Sequence, residues 1–266
     1  MHEENWQHPL IRTTRRRMNR RLFLVGAGSA AVAVAMAGQG AAMGRDATPQ
    51  VDVTGDEDAV KLLDASAKAM AALQTFHFDV ETTRGESSAM GLNLKRISGD
   101  VRRPADFQAE VSVDVPFGSI TVRAIGINGT FYIEDPFSQE GGWRTFSAGS
   151  DIMALVNPDV IILMAVRLLS DAKIDGSEKF NGTDAQRVVG EVDFQRVAGE
   201  LGGDASGLAD QLAQGPIPVT VWIDADNLIL GMEIDGPLLA AESDAVVRLV
   251  SFSAFDEPVE IDAPDA

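Results

Sequence analysis

The chain has no cysteine and only three histidines, His2, His8 and His77, and these two shortages close off most site chemistry. Without cysteine there is no disulfide, no thiolate metal site, no thiol nucleophile and no thioether through which a lipid could be attached. Only His77 lies beyond the first 44 residues, so a two-histidine metal site or a Cys–His acyl-transfer pair cannot be built there. Aromatic residues make up just 6% of the chain. Past residue 44 the tryptophans are Trp143 and Trp222 and the tyrosine is Tyr132, a thin supply for the sugar-stacking cleft of a two-carboxylate glycosidase. Basic residues are short as well: setting aside six arginines and two glutamates in residues 1–44 reduces the 22 basic and 40 acidic groups to 16 and 38, a formal charge of −22. Such a surface repels nucleic acid, which is excluded as a partner, and is not drawn electrostatically to anionic headgroups. Any contact with lipid must rest on apolar surface.

What is present begins with a basic stretch, Arg12, Arg15, Arg16, Arg17, Arg20 and Arg21, followed by a modestly apolar run over residues 22–37 and then small residues. That is the layout of an export signal. Within it Arg20, Arg21, Phe23 and Leu24 fit the twin-arginine pattern, with Val25 where a lysine is common. Ala35 and Ala37 form a small-x-small cleavage site, and residues 40–42 offer a second. The expectation is a signal peptide over residues 1–44 and a protein that works outside the cytoplasm, in the cell envelope or secreted. An uncleaved anchor is the alternative, although the apolar run falls short of the roughly 20 residues a spanning helix needs. The G-x-G-x-x-A match at residues 26–31 lacks a preceding strand, so small signal residues explain it and no nucleotide or other cofactor is expected.

Residues 45–56 are polar, contain Pro49 and show no periodicity, which predicts a linker. Thr54 to Glu57 fits a capping box, and Val60, Leu63, Ala67, Met70 and Leu73 recur at helical spacing, which predicts a helix over 57–74. Strands follow. Phe76, Phe78 and Val80 alternate with His77, Asp79 and Glu81, and Phe107, Ala109, Val111, Val113 and Val115 alternate with polar residues. A period of two with one apolar face predicts half-buried antiparallel strands. Asn128-Gly129 and Asn181-Gly182 predict tight hairpin turns, as does residues 224–227 between strands over 219–223 and 228–235, with a last strand near 246–255. Roughly ten strands with short turns predict an α+β domain built on one large antiparallel sheet, curved or partly closed. Residues 151–169 are apolar on nearly every side. They predict two short buried helices parted at Asn157-Pro158, and a further helix pair is expected over 194–214.

Reactive patterns are weak. Ser170 and Lys173 match Ser-x-x-Lys but lack its companion elements, so they read as a polar helix end. Asp224, Asp226 and Asn227 open like a calcium loop, yet Ile229 replaces the required glycine and Asp235 the closing glutamate. His77 on a polar strand face reads as solvated or structural. No catalytic, metal or cofactor residue is therefore expected. What remains is an excess of apolar residues, including Met70, Met90, Met153, Met164 and Met232, which fits either core filling or an adaptable cavity.

The order of several segments resembles the mycobacterial LppX/LprG lipoprotein family: the helix Leu62 to Met70 leading into Phe76 to Val80, Gly99-Asp100 to Arg103-Pro104, Val221 to Asp224, Gly236-Pro237-Leu238 and the ending Phe255 to Ile261. The resemblance covers about residues 57–264 and makes 57–266 the expected lipid-binding domain. It implies a half-barrel of the kind found in LolA and LolB, in which a curved antiparallel sheet covers several helices around a hydrophobic cavity for the acyl chains of a lipid or glycolipid, and a carrier without catalysis. On that basis the strand residues Val111, Val113, Ile120, Val122, Phe131 and Ile133 would line the cavity. So would Ile161, Met164 and Leu168 from the apolar segment, and Val221, Ile223, Leu230 and Met232 from the later hairpin. A monomer passing lipid between donor and acceptor membranes or membrane proteins is implied. The alternative within the same fold is an envelope sensor or scaffold that binds a membrane-protein partner. One departure stands out, because relatives carry a lipobox cysteine at the signal end and this chain has none.

Overall fold

The computed structural model describes residues 53–89, 92–115, 118–136, 142–147, 166–196 and 212–264 of the 266. The expected signal, most of the linker, the apolar stretch up to residue 165 and the greater part of the second helix pair lie outside the described residues.

Helix α1 (Glu57–Ala72) forms because Ala59, Leu63, Ser66, Ala67 and Met70 repeat at spacings that make one buried stripe. Glu57 and Asp58 in its first turn oppose the helix dipole. The expected capping box is not built: Asp56 is the N-cap and makes no side-chain cap bond. Thr54 is drawn elsewhere, its backbone pairing with Ala172 and its hydroxyl accepting from the Asp171 amide at 3.4 Å. Val53 is buried in the core, so the last residues of the expected linker belong to the fold. At the far end of α1 the Arg103 guanidinium donates to the Met70 carbonyl at 2.6 Å and to that of Leu73, satisfying acceptors that the helix leaves open.

The strands are β1 (Thr75–Arg84), β2 (Ser87–Ala89), β3 (Leu92–Arg102), β4 (Asp106–Val115), β5 (Gly118–Ile127), β6 (Thr130–Glu134), β7 (Trp143–Ser147), β8 (Ser170–Phe180), β9 (Thr183–Val192), β10 (Ile217–Ile223), β11 (Ile229–Asp235) and β12 (Val247–Ser253). Eleven of them lie side by side in the order β7-β6-β5-β4-β3-β1-β12-β11-β10-β9-β8, and β2 adds onto β3. Every pairing is antiparallel. The chain thus runs outward from the centre to β7, reappears at the opposite edge before β8, and works back until β12 meets β1. Because β7 and β8 do not pair among the described strands, the sheet is open. Irregularities in β1, β3, β8 and between β10 and β11 bend individual strands.

Both Asn-Gly turns form as their chemistry dictates, with φ of 51° at Asn128, 73° at Gly129, 47° at Asn181 and 89° at Gly182. Asp224 builds the third turn by accepting from the amides of Asp226 at 2.9 Å and Leu228 at 2.8 Å. One sequence expectation fails at the opening of β8. Ser170 to Lys173 are strand, not helix end, because Ser170 and Lys173 pair with Glu191 and Val189 of β9. Among the described residues, helix beyond α1 is found at 166–167 and 194–196.

Candidate functional site

The sheet separates its residues by face. On the inner face, which packs against α1, the register lines up Val122, Val111, Ile97, Val80, Val250, Met232, Val221, Val188 and Ile174 as one unbroken cross-strand row over nine strands, β5 to β8. All nine side chains are apolar. The row ends on edge strand β8 at Ile174, which is 40% exposed. One step along the strands, a second row reads Ile133, Ala124, Ala109, Gly99, Phe78 and Phe252. Its middle three members are small, so over β3, β4 and β5 the inner face is a shallow trough between bulkier rows. Gly99 has a local reason to lack a side chain, since a Cβ there would stand 2.3 Å from the Gln108 carbonyl.

Most of the residues expected to line a cavity fall on this face. Val113, Phe131, Leu168, Val221, Ile223 and Met232 lie in the continuous core with Leu63 and Met70 of α1, and Val111, Ile120 and Ile133 pack against it while staying partly exposed. Val122 is buried and shares its face with Ala124. Leu230 is a correction. An irregularity between Trp222 and Ile223 on β10 sets Leu230 off the alternation, and it packs on the opposite face with Phe180, Ala185, Trp222 and Leu249. Ile161 and Met164 lie outside the described residues.

Two polar clusters were not foreseen. The first is buried at one end of the inner face, where Arg248 takes the place in the alternation next to Val250. Its guanidinium pairs with Glu242, which is itself fully covered, and donates to Ser87 Oγ at 2.8 Å. The other carboxylate oxygen of Glu242 accepts the amides of Leu238 at 2.9 Å and Leu239 at 3.1 Å. A charge pair thereby pins the 236–246 loop, whose leucines pack on the core. An arginine and a glutamate in a loop-strand segment carry no sequence signal of burial, so only the fold reveals this pair.

The second cluster lies on the outer face around His77. Asp100 stands opposite His77, with 2.7 Å between its Oδ1 and the ring Nδ1. Ser98 Oγ and Asp79 Oδ2 both lie 3.3 Å from Nε2. Burial alone would lift the Asp79 carboxyl, but bonds from Arg96 and Ser98, with the Arg96 charge, hold it below its ordinary range. A Ser–His–Asp line is therefore present, yet a carboxylate competes for the nitrogen that would activate the serine. The surrounding β3 backbone is paired on both sides, to β1 and to β4, so its amides are not free to stabilise an oxyanion. The geometry is that of a cross-strand polar ladder. Alternation placed these residues on one face, and only the register shows that they meet.

The described residues thus form an open antiparallel sheet with one apolar face turned to a helix and one charged face turned to water. Residues 58–262 match the family described as LppX_LprAFG lipoprotein, and the chain belongs to that family. It is 31% identical over 178 residues to the lipoarabinomannan carrier protein LprG of Mycolicibacterium smegmatis, covering 64% of this chain and 70% of that one. To the protein of the same name from Mycobacterium leprae it is 26% identical over 184 residues, with 65% and 70% covered. The crystal structure of LprF from Mycobacterium bovis superimposes with a TM-score of 0.55 at 18% identity, covering 80% of this chain and 100% of that one. That of LppX from Mycobacterium tuberculosis gives 0.54 at 18% identity, covering 78% and 100%. These last two likenesses establish a shared fold. No described helix is long and apolar enough to cross a membrane.

Proposed function

We propose that this chain is a non-catalytic carrier that works outside the cytoplasm and shelters the acyl chains of a lipid or glycolipid between α1 and the inner face of its sheet. The observation that carries the reading is the apolar row across nine strands lying beside the trough of Gly99, Ala109 and Ala124. A bare row would serve a solid core equally well. The trough is what favours a guest, because small residues on three neighbouring strands fill less of the space above the sheet than the valines and isoleucine beside them. Burial of each methylene contributes roughly 0.8 kcal/mol, so ten would give about 8 kcal/mol before ordering costs. That suffices without a charged anchor, in keeping with a chain whose net charge would repel anionic headgroups. The carrier names of the LprG relatives point the same way. The Arg20-Arg21 segment supports export by the twin-arginine route.

The test is to purify the full chain from the membranes of producing cells, extract it with organic solvent and identify bound lipid by mass spectrometry. Co-purifying acyl lipid is expected, and Ala109→Phe, which fills the trough, should reduce it several-fold while the protein still folds. Protein recovered empty, with no uptake of a fluorescent acyl probe, would overturn the carrier reading. A membrane protein retained in place of lipid would turn it toward a sensor.

A further inference from the structure

Buried polar groups are almost always hydrogen-bonded, so an exception calls for a reason. Among the described residues the polar or charged ones buried as whole residues are Ser66, Ser87 and Arg248. The last two bond to each other and to Glu242. Two buried side-chain atoms have no partner, Asn93 Oδ1 and Ser66 Oγ; Asn93 is only half-buried as a residue, whereas Ser66 is 0% exposed. It sits in the buried stripe of α1 beside Leu63, Ala67 and Met70, on the face that packs with the inner rows of the sheet. Alanine at this position would favour the helix and avoid stranding a hydroxyl. Water offers no remedy, since a buried water needs two to four polar partners and the stripe around Ser66 is apolar. The stripe is also thin, with Ala59 and Ala67 buried along the same helix.

We propose that Ser66 is the polar anchor of the acyl site: its hydroxyl donates to the carbonyl oxygen of an ester-linked acyl chain lying between α1 and the inner face of the sheet. This rests on the carrier reading and sharpens it to a class of ligand, since an ether-linked chain of equal length offers no such carbonyl. A site that presents a buried donor disfavours the analogue that leaves the donor unpaired. Ser66 would therefore act on selectivity more than on the grip, which comes from the hydrocarbon.

The full chain is loaded with a fluorescent acyl probe and titrated with two zwitterionic competitors, dipalmitoyl (diester) and dihexadecyl (diether) phosphatidylcholine. Wild type should bind the diester roughly three- to tenfold tighter, the range set by one net hydrogen bond. In Ser66→Ala that ratio should fall to near one, and in Ser66→Thr, which keeps the hydroxyl, it should persist. Empty Ser66→Ala should melt no lower than empty wild type, which also shows that it folds. Equal wild-type affinity for both lipids, or a preference that survives in Ser66→Ala, overturns the anchor while leaving lipid binding intact. Failure of wild type to take up the probe or either lipid overturns the carrier reading, and the anchor with it.

Discussion

The two halves of the sheet follow the same alternation but pack differently. From β9 to β12 the inner-face residues Val188, Val221 and Met232 are at most 2% exposed, and the pinned loop closes that end with Leu238 and Leu239. From β4 to β6 the same face includes Ala109 and Ala124 at 9% and 7%, while Val111, Ile120 and Ile133 remain partly exposed. Polarity does not separate the halves, since both are apolar on this face. Side-chain volume does: one half carries branched residues and methionine in its central row, and the other sets two alanines beside its valines, next to Gly99 of β3. Hydrophobic patterning specifies a greasy face, and size decides whether that face is filled from within or leaves room.

The comparison breaks most readily at the Arg248–Glu242 pair. Glu242→Ala would leave a buried guanidinium without its counter-charge and two loop amides without an acceptor, costing about 3–5 kcal/mol in urea unfolding. The double change Arg248→Met with Glu242→Leu should regain most of that. A loss below about 1 kcal/mol in the single variant would mean that the loop is not held by this pair. Next in size is a direct contrast of the halves. Met232→Ala in the tight half should cost about 2–5 kcal/mol, whereas Ile133→Ala, partly exposed to begin with, should cost roughly half as much. Equal losses would show that the two halves are packed alike.

Much of this was legible in the residues. Period-two alternation marked β1 and β4, and the Asn-Gly pairs located two turns, because those signals are local. Most of the expected lining residues lie on one face for the same reason. Leu230 could not be assigned, since one extra residue on β11 opposite Trp222 and Ile223 reverses the facing, and irregularities of that kind depend on the partner strand. Thr54 carried a true capping signal that tertiary pairing with Leu169 and Ala172 overrode. Ser66 looked like an ordinary helix residue. Its meaning comes from burial without a partner, which no periodicity reports.

The smallest expected effect concerns acid. Glu134 on β6 is held by a forked pair of bonds from Arg123 on β5, at 3.0 and 2.9 Å, and Arg123 in turn lies over the Trp143 ring on β7. The Arg123 bond keeps the Glu134 carboxyl below its ordinary value of 4.5 against the opposing pull of burial. A carboxyl lowered by folding binds fewer protons in the folded chain than in the unfolded one. Its stabilisation is therefore complete well above 4.5, and is lost as pH falls through the lower folded value. Asp79 on β1 is lowered in the same sense, and acts in the same direction. Glu134→Gln should thus cost under about 1 kcal/mol at pH 7, as partly exposed pairs do, and the gap from wild type should close as pH falls below 4. Hydrogen exchange sharpens the contrast between halves: on acidification, amides of β5 and β6 should lose protection before those of β10 and β11, whose support is apolar. Simultaneous loss in both halves would mean that the sheet opens as one unit, and that the looser packing over the trough does not make it a separate element of stability.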